Sequence, residues 1–530
     1  MLENRKITLY DTTLRDGTQS EDVNFTVVDK VLIANQLADF GIDFIEGGWP
    51  GSNPRDMEFF QKIKDSAVAL DKITAFGSTR RAKKRCDNDE IIMALLHAGV
   101  PNITIFGKTW DLHVKEALKI SLEENLELIS DTVAFLKKRV DKVFYDAEHF
   151  FDGYKANPDY AIKTLLAAQE AGADAVILCE TNGGAMPEDI YNICKVVKDT
   201  LGDYPFGIHT HNDSEMAVAN AVTAVRCGAS HVQGTINGFG ERCGNANLCS
   251  IIPNLQLKYG YNCVLPENLV KLKDLSRFVN ELGNIKPNTH QPYVGNSAFA
   301  HKAGVHVSAI LKNSKTYEHI DPSLVGNIQR VLLSDMSGKS NLIYKAKEFG
   351  LDIESDNDTI KGLLDKLKVL ENRGFQFEGA EASFELLIRK AMGTMPHFFD
   401  LINYRVIGEQ NSACGVNSNE ATVMLSVNGI TEHTAATGNG PVNALDCAVR
   451  KALAHFYPTI KDMVLVDYKV RILSSHNGTE ATTRVLMEST DGVDTWGTVG
   501  VAENIIDASY GALVDSILYK LMKDKEKSDN

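Results

Sequence analysis

The sequence predicts an α/β chain in three parts: a parallel (β/α)8 barrel, a helical linker region, and an α+β domain of tandem β-β-β-α repeats. Three observations lead there. From Lys6 to about Tyr259, short β-branched runs alternate eight times with longer amphipathic stretches. Helical periodicity continues without convincing strands from 264 to about 370, and the last 150 residues repeat themselves with a period near 60. Eight βα units in roughly 250 residues is the arithmetic of a TIM barrel. The expected divisions are 1–262 for the barrel, 263–375 for helical linker subdomains and 376–530 for the α+β domain.

The expected barrel strands are 7–11, 43–48, 73–77, 102–107, 142–148, 175–180, 206–211 and 231–236. Between them, stretches such as VVDKVLIANQLADFG place apolar residues three and four apart and close on glycine, as helices do. The competing architecture, a doubly wound open sheet, normally has fewer strands and a G-x-G-x-x-G turn after the first. No such turn follows the first strand here. In the C-terminal part, EATVMLSV from Glu420 matches EATTRVLMES from Glu480, with Asn443 and Asp446 falling opposite Asn504 and Asp507. Each copy reads as strands followed by one helix. The closing KDKEKSDN reads as a solvated, frayed tail.

Composition narrows the function. Lys and Arg number 55 against 70 Asp and Glu, a net charge of −15, which repels a polyphosphate backbone and argues against nucleic-acid binding. Nine cysteines form no C-x-x-C pair, so neither a disulfide framework nor a thiolate zinc site is expected, and a reducing cytoplasm fits. No apolar run reaches membrane-spanning length.

Chemistry-bearing residues fall at expected strand ends, which form the catalytic face of such a barrel. DTTLRDGTQ puts Arg15, Asp16 and Gln19 just beyond the first strand, and Glu46 ends the second before the glycine-rich GGWPGSNP. IHTHND places His209 and His211 two apart on an extended segment, so both imidazoles face one side. With Asp16 they make an N/O site for a divalent metal with open positions; the competing reading is a packed or surface pair. Asn245, in NGFGERCGNANL, offers an amide oxygen toward the same mouth, unless that segment is only a turn before a helix. Glu148 is a candidate acid/base and Thr181 a candidate donor to a bound carboxylate, though either can be purely structural.

Together LRDGTQ, Glu46, HTHND and GERCGNANL resemble the DRE-TIM metallolyase superfamily, and within it the Claisen-condensing branch of 2-isopropylmalate, homocitrate and citramalate synthases. AFAHKAGVH (298–306), SGKSN (337–341) and the C-terminal repeat extend the resemblance along the chain. FYDAEHFFDGY and CETNGG are closer to the citramalate subgroup than to the 2-isopropylmalate one.

The resemblance implies condensation of acetyl-CoA with a small 2-oxo acid. Pyruvate would give (R)-citramalate for isoleucine biosynthesis, and 2-oxoisovalerate is the alternative acceptor. It implies Mn2+ or Mg2+, with Zn2+ as alternative, held by Asp16, His209, His211 and Asn245. Arg15 then stabilises an oxyanion, Glu148 and His306 form the acid/base pair, and Arg15, Gln19, Glu46 and Thr181 bind substrate. His301 competes with His306 for its role; the G-x-H context favours His306. The equivalent histidine in the family comes from the other subunit, so a domain-exchanged homodimer is expected. The C-terminal module is expected to bind a branched-chain amino-acid effector. Two other readings are a metal-dependent acyl-CoA lyase, which shares the barrel motifs, and a non-catalytic sensor built on an inactive barrel.

Overall fold

The computed structural model describes residues 5–66, 70–332, 339–353, 357–411, 416–473 and 481–529. It contains two compact units, Met1–Phe299 with Glu318–Gln329, and Ala300–Tyr317 with Arg330–Asn530. The helical stretch expected as one linker is therefore shared between them. Helix Leu272–Leu282 packs on helix Val27–Phe40 of the barrel, with Leu272, Leu275 and Val279 joining the barrel's hydrophobic core.

The first unit is a closed, all-parallel eight-stranded barrel. Its strands are β1 (Thr8–Asp11), β2 (Phe44–Gly48), β3 (Ile73–Ser78), β4 (Asn102–Lys108), β5 (Lys142–Glu148), β6 (Ala175–Glu180), β7 (Phe206–Thr210) and β8 (His231–Gly234). β8 pairs with β1, matching Tyr10 with Gln233 and Asp11 with Gly234. Local sequence sets the connecting helices. Helix Val27–Phe40 begins in a capping box between Thr26 and Asp29 and ends at Gly41, whose φ of 106° suits glycine. Proline at the first turn starts helices Pro54–Lys62, Pro158–Glu170 and Pro187–Leu201.

Two strands stop short of their expected ends. β7 finishes at Thr210, because His211 leaves it to form an isolated antiparallel bridge with Asn245. β8 finishes at Gly234, and the chain then turns through Ile236–Gly238 with Asn237 at φ 64°.

Within the second unit, a short parallel pairing of 300–301 with 330–331 interrupts the helices, a departure from the expected strand-free region. SGKSN lies partly outside the described residues, as does Glu480 at the start of the second copy. The tandem repeat is present. Strands 400–411, 416–427 and 430–438 form one antiparallel sheet followed by helix Pro441–Leu453. Strands 464–472, 483–490 and 495–502 form another, followed by helix Ile505–Asp529. Each copy carries an irregularity at the same place, between Leu401 and Asn403 in one and between Leu465 and Asp467 in the other. Matched bulges are a structural signature of duplication that composition does not reveal. The expected frayed tail is instead helical to Asp529. Ion pairs of Lys523 with Glu385 and of Lys527 with Asp494 hold it.

Candidate metal and active site

The C-terminal ends of the barrel strands surround a cavity of about 210 Å³. Its lining brings together seven residues expected from the sequence: Arg15, Asp16, Gln19, Glu148, Thr181, His209 and His211. Trp49, Phe76, Phe106, Asp146, Cys179 and Glu241 complete it.

Asp16, His209 and His211 are all buried, and one ligand atom from each lies within 4.8 Å of the other two. His209 Nε2 is 3.3 Å from His211 Nε2 and 3.3 Å from Asp16 Oδ2. Ligands about 2.1 Å from an ion at right angles to one another stand roughly 3 Å apart, so the spacing suits a divalent cation. Asn245 Nδ2 donates to Asp16 Oδ2 at 2.9 Å, and its Oδ1 is buried without a partner among the described residues. A buried, unpartnered amide oxygen beside an N/N/O set is the residue chemistry a borderline or hard metal ion needs. Burial opposes ionisation of Asp16, yet Arg15 and the two histidines hold its carboxyl far below the usual range. Burial and the neighbouring His209 push His211 down to about 3, keeping its imidazole neutral and able to ligate.

Arg15 is braced on several sides. Its Nε donates to Glu46 Oε1 at 2.5 Å, its Nη1 donates to Asp16 Oδ1 at 2.9 Å, and its guanidinium lies 3.8 Å from the Phe76 ring centre. Glu46 is fully buried, and its second oxygen accepts from Tyr10 Oη at 2.6 Å. Arg15 and Tyr10 thus engage both Glu46 oxygens, and Glu46, expected among the substrate-binding residues, is not among the cavity-lining residues.

Glu148 ends β5 and pairs with Lys108 at the end of β4. Thr181 Oγ1 accepts from the His149 backbone N–H at 3.0 Å, and Thr181 lines the cavity. Gln19 stands exposed at the rim. His306 belongs to the second unit, where it is exposed and stacks on Tyr317 with ring centres 4.1 Å apart. His306 is not among the cavity-lining residues.

Sequence reasoning missed Asp146, Gln233 and Trp49. Asp146 sits two residues before Glu148 on β5, so strand parity alone points it inward. Burial and the nearby Glu46 push it up to about 7. Trp49 carried no such signal. It follows Gly48, at φ 148°, where a Cβ would come within 2.4 Å of Asp56 Cγ. The Trp49 backbone N–H donates to Asp56 Oδ2 at 2.9 Å, and Asp56 is locked by buried Lys30 at 2.6 Å. That loop stands Trp49 edge-on to Phe76 and Phe106, making one aromatic wall.

Three family models cover most of the chain. Residues 6–279 match the HMGL-like model, 293–374 the homocitrate synthase post-HMGL domain-like model, and 378–521 the LeuA allosteric (dimerisation) domain. The (R)-citramalate synthase of Geobacter sulfurreducens is 60% identical over 98% of both chains. That of Aquifex aeolicus is 57% identical over 98% of this chain and 99% of its own. The chain belongs to the citramalate synthase family. Identity to a 2-isopropylmalate synthase, that of Methanocaldococcus jannaschii, drops to 30% over 98% of this chain and 96% of the relative. The full-length match to citramalate synthases takes in the cavity residues and the C-terminal repeat alike.

Proposed function

We propose that this chain condenses acetyl-CoA with pyruvate and water to give (R)-citramalate and CoA, in the cytoplasm and toward isoleucine. The observation that carries the reading is the step in identity. Five relatives named (R)-citramalate synthase stand at 45–60%, against 30% for a 2-isopropylmalate synthase of the same coverage. The aromatic wall of Trp49, Phe76 and Phe106 supports a small acceptor, since it takes up space a branched side chain needs.

Asp16, His209 and His211, with Asn245 beside them, would hold the divalent ion, Mn2+ or Mg2+, which when bound supplies a Lewis acid for the keto group of a 2-oxo acid. Thr181 donates its hydroxyl hydrogen to the acid's carboxylate, and Gln19 supplies a polar group at the rim. Arg15, fixed by Glu46, faces the oxygen that gains negative charge as the carbon–carbon bond forms. Glu148 and His306 take the proton from the acetyl methyl and return one to the new alkoxide. His306 is assigned to the partner subunit of a homodimer, a reading supported by the match to a dimerisation domain.

The chain divides in this reading into a catalytic barrel to 262, a linker to 375 and a regulatory domain beyond. The regulatory domain binds a branched-chain amino acid, isoleucine first. A cavity of about 290 Å³ supports this, because Val442, Asp446 and Arg450 of one copy and Tyr468, Met487 and Leu513 of the other line it. The deciding assay is thiol release from acetyl-CoA with pyruvate, 2-oxobutyrate, 2-oxoisovalerate and 2-oxoglutarate in turn. Pyruvate is expected to give the highest kcat/KM; a preference for 2-oxoisovalerate would overturn the assignment.

A further inference from the structure

Gln233, on β8, is fully buried and makes two hydrogen bonds of opposite sense. Its Oε1 lies 2.9 Å from His209 Nδ1, and its Nε2 donates to Asp146 Oδ1 at 3.0 Å. The amide turns its NH2 to Asp146 and its carbonyl to the imidazole. An imidazole facing a carbonyl through Nδ1 must carry its hydrogen there. The lone pair is then on Nε2, the atom 3.3 Å from His211 Nε2 and from Asp16 Oδ2. Strand register supports this: Gln233 pairs with His209 on one side and with Tyr10 on the other, so backbone pairing fixes its position.

We propose that Gln233 is a positioning residue for the metal site, fixing His209 in the Nδ1–H tautomer and tying that ring to Asp146 in the cavity wall. The inference rests on the reading of Asp16, His209 and His211 as metal ligands. Partners of this kind typically change metal affinity by roughly 10- to 100-fold. A side chain that only filled the barrel interior would leave affinity alone once the fold was intact.

The test is Mn2+ binding to metal-stripped full-length protein, read from the spin-resonance signal of free Mn2+. Wild type, Gln233→Met, Gln233→Glu and His209→Ala are compared, with thermal unfolding as a check on folding. Gln233→Met fills similar volume without an acceptor, and roughly 10- to 100-fold weaker binding is expected. Gln233→Glu keeps the acceptor, and its affinity is expected to stay well above that of Gln233→Met. Wild type that binds no Mn2+, or His209→Ala that binds as wild type does, would remove the metal reading itself. Wild type and Gln233→Met binding equally, with His209→Ala impaired, would overturn the role of Gln233 alone. A second measurement needs no Gln233 variant: 15N spectra of histidine-labelled, Mg2+-loaded protein, with the His209 signal assigned by its loss in His209→Ala. A proton on Nδ1 is expected, and one on Nε2 would overturn the proposal whatever the variants do.

Discussion

Arg15 is held from below by Glu46, Nε to Oε1 at 2.5 Å, with Tyr10 closing the other carboxylate oxygen. The guanidinium thus has a fixed plane, laid on the Phe76 ring. Arg15→Lys keeps the charge but not the fork, so it is expected to lower kcat by about 100-fold or more with a small change in KM. Steady-state kinetics checks this; an effect confined to KM would make Arg15 a binding group.

Glu46→Gln removes the charge of a fully buried ion-pair partner while keeping its shape. Breaking such a pair costs about 3 kcal/mol, and chemical denaturation is expected to show a loss of that order together with reduced kcat. Unchanged stability would mean that Asp16 alone suffices to hold Arg15.

Replacing Asp16, His209 or His211 singly by Ala removes one of three grouped candidate ligands. Each variant is expected to lose measurable activity and Mn2+ binding, and a chelator should silence wild type until Mn2+ or Mg2+ is returned. Full activity in chelated enzyme would contradict the site.

Phe106→Ala opens the aromatic wall formed with Trp49 and Phe76. The ratio of kcat/KM for 2-oxobutyrate over pyruvate is expected to rise about tenfold or more, the scale of one methylene in an apolar pocket. A competition assay with both acids reads the ratio directly.

His231, among Tyr10, Phe44 and Phe144 inside the barrel, is depressed by burial to about 3. The folded state binds its proton less readily than the unfolded chain. Its contribution is therefore whole above the unfolded value and is lost as pH falls from about 6.5 toward 3, by about 2 kcal/mol at pH 5. Denaturation of wild type and His231→Phe at pH 7.5 and 5 should show a smaller acid loss in the variant.

Isoleucine is expected to inhibit the full chain, and a form ending near Gly379 is expected to lose that inhibition. Inhibition that persists in an active truncated enzyme would place the effector in the catalytic cavity.

The barrel was legible because its eight strands are short runs set apart by amphipathic helices, some closed by glycine as at Gly41 and Gly202, a pattern local enough to survive without tertiary information. The grouping of Asp16 with His209 and His211 followed from strand ends alone. For Glu46, sequence shows that a carboxylate sits at a strand end, but not that Tyr10 and Arg15 bond its two oxygens from within the barrel. Gln233 was missed for the same reason, since its meaning lies in partners 24 and 87 positions away. Trp49 depended on a buried Lys30–Asp56 pair that no periodicity announces.

Asp16 lies just past β1 and Asn245, which donates to it, just past β8, and those strands meet only when the sheet closes. A nascent chain therefore has no such site until residue 245 has left the ribosome and the last strand has docked. An ion bound there would act as a clasp on the seam. The same ion that serves chemistry would slow the opening of the barrel at its newest joint, and metal-starved protein should be lost to proteolysis from that seam first.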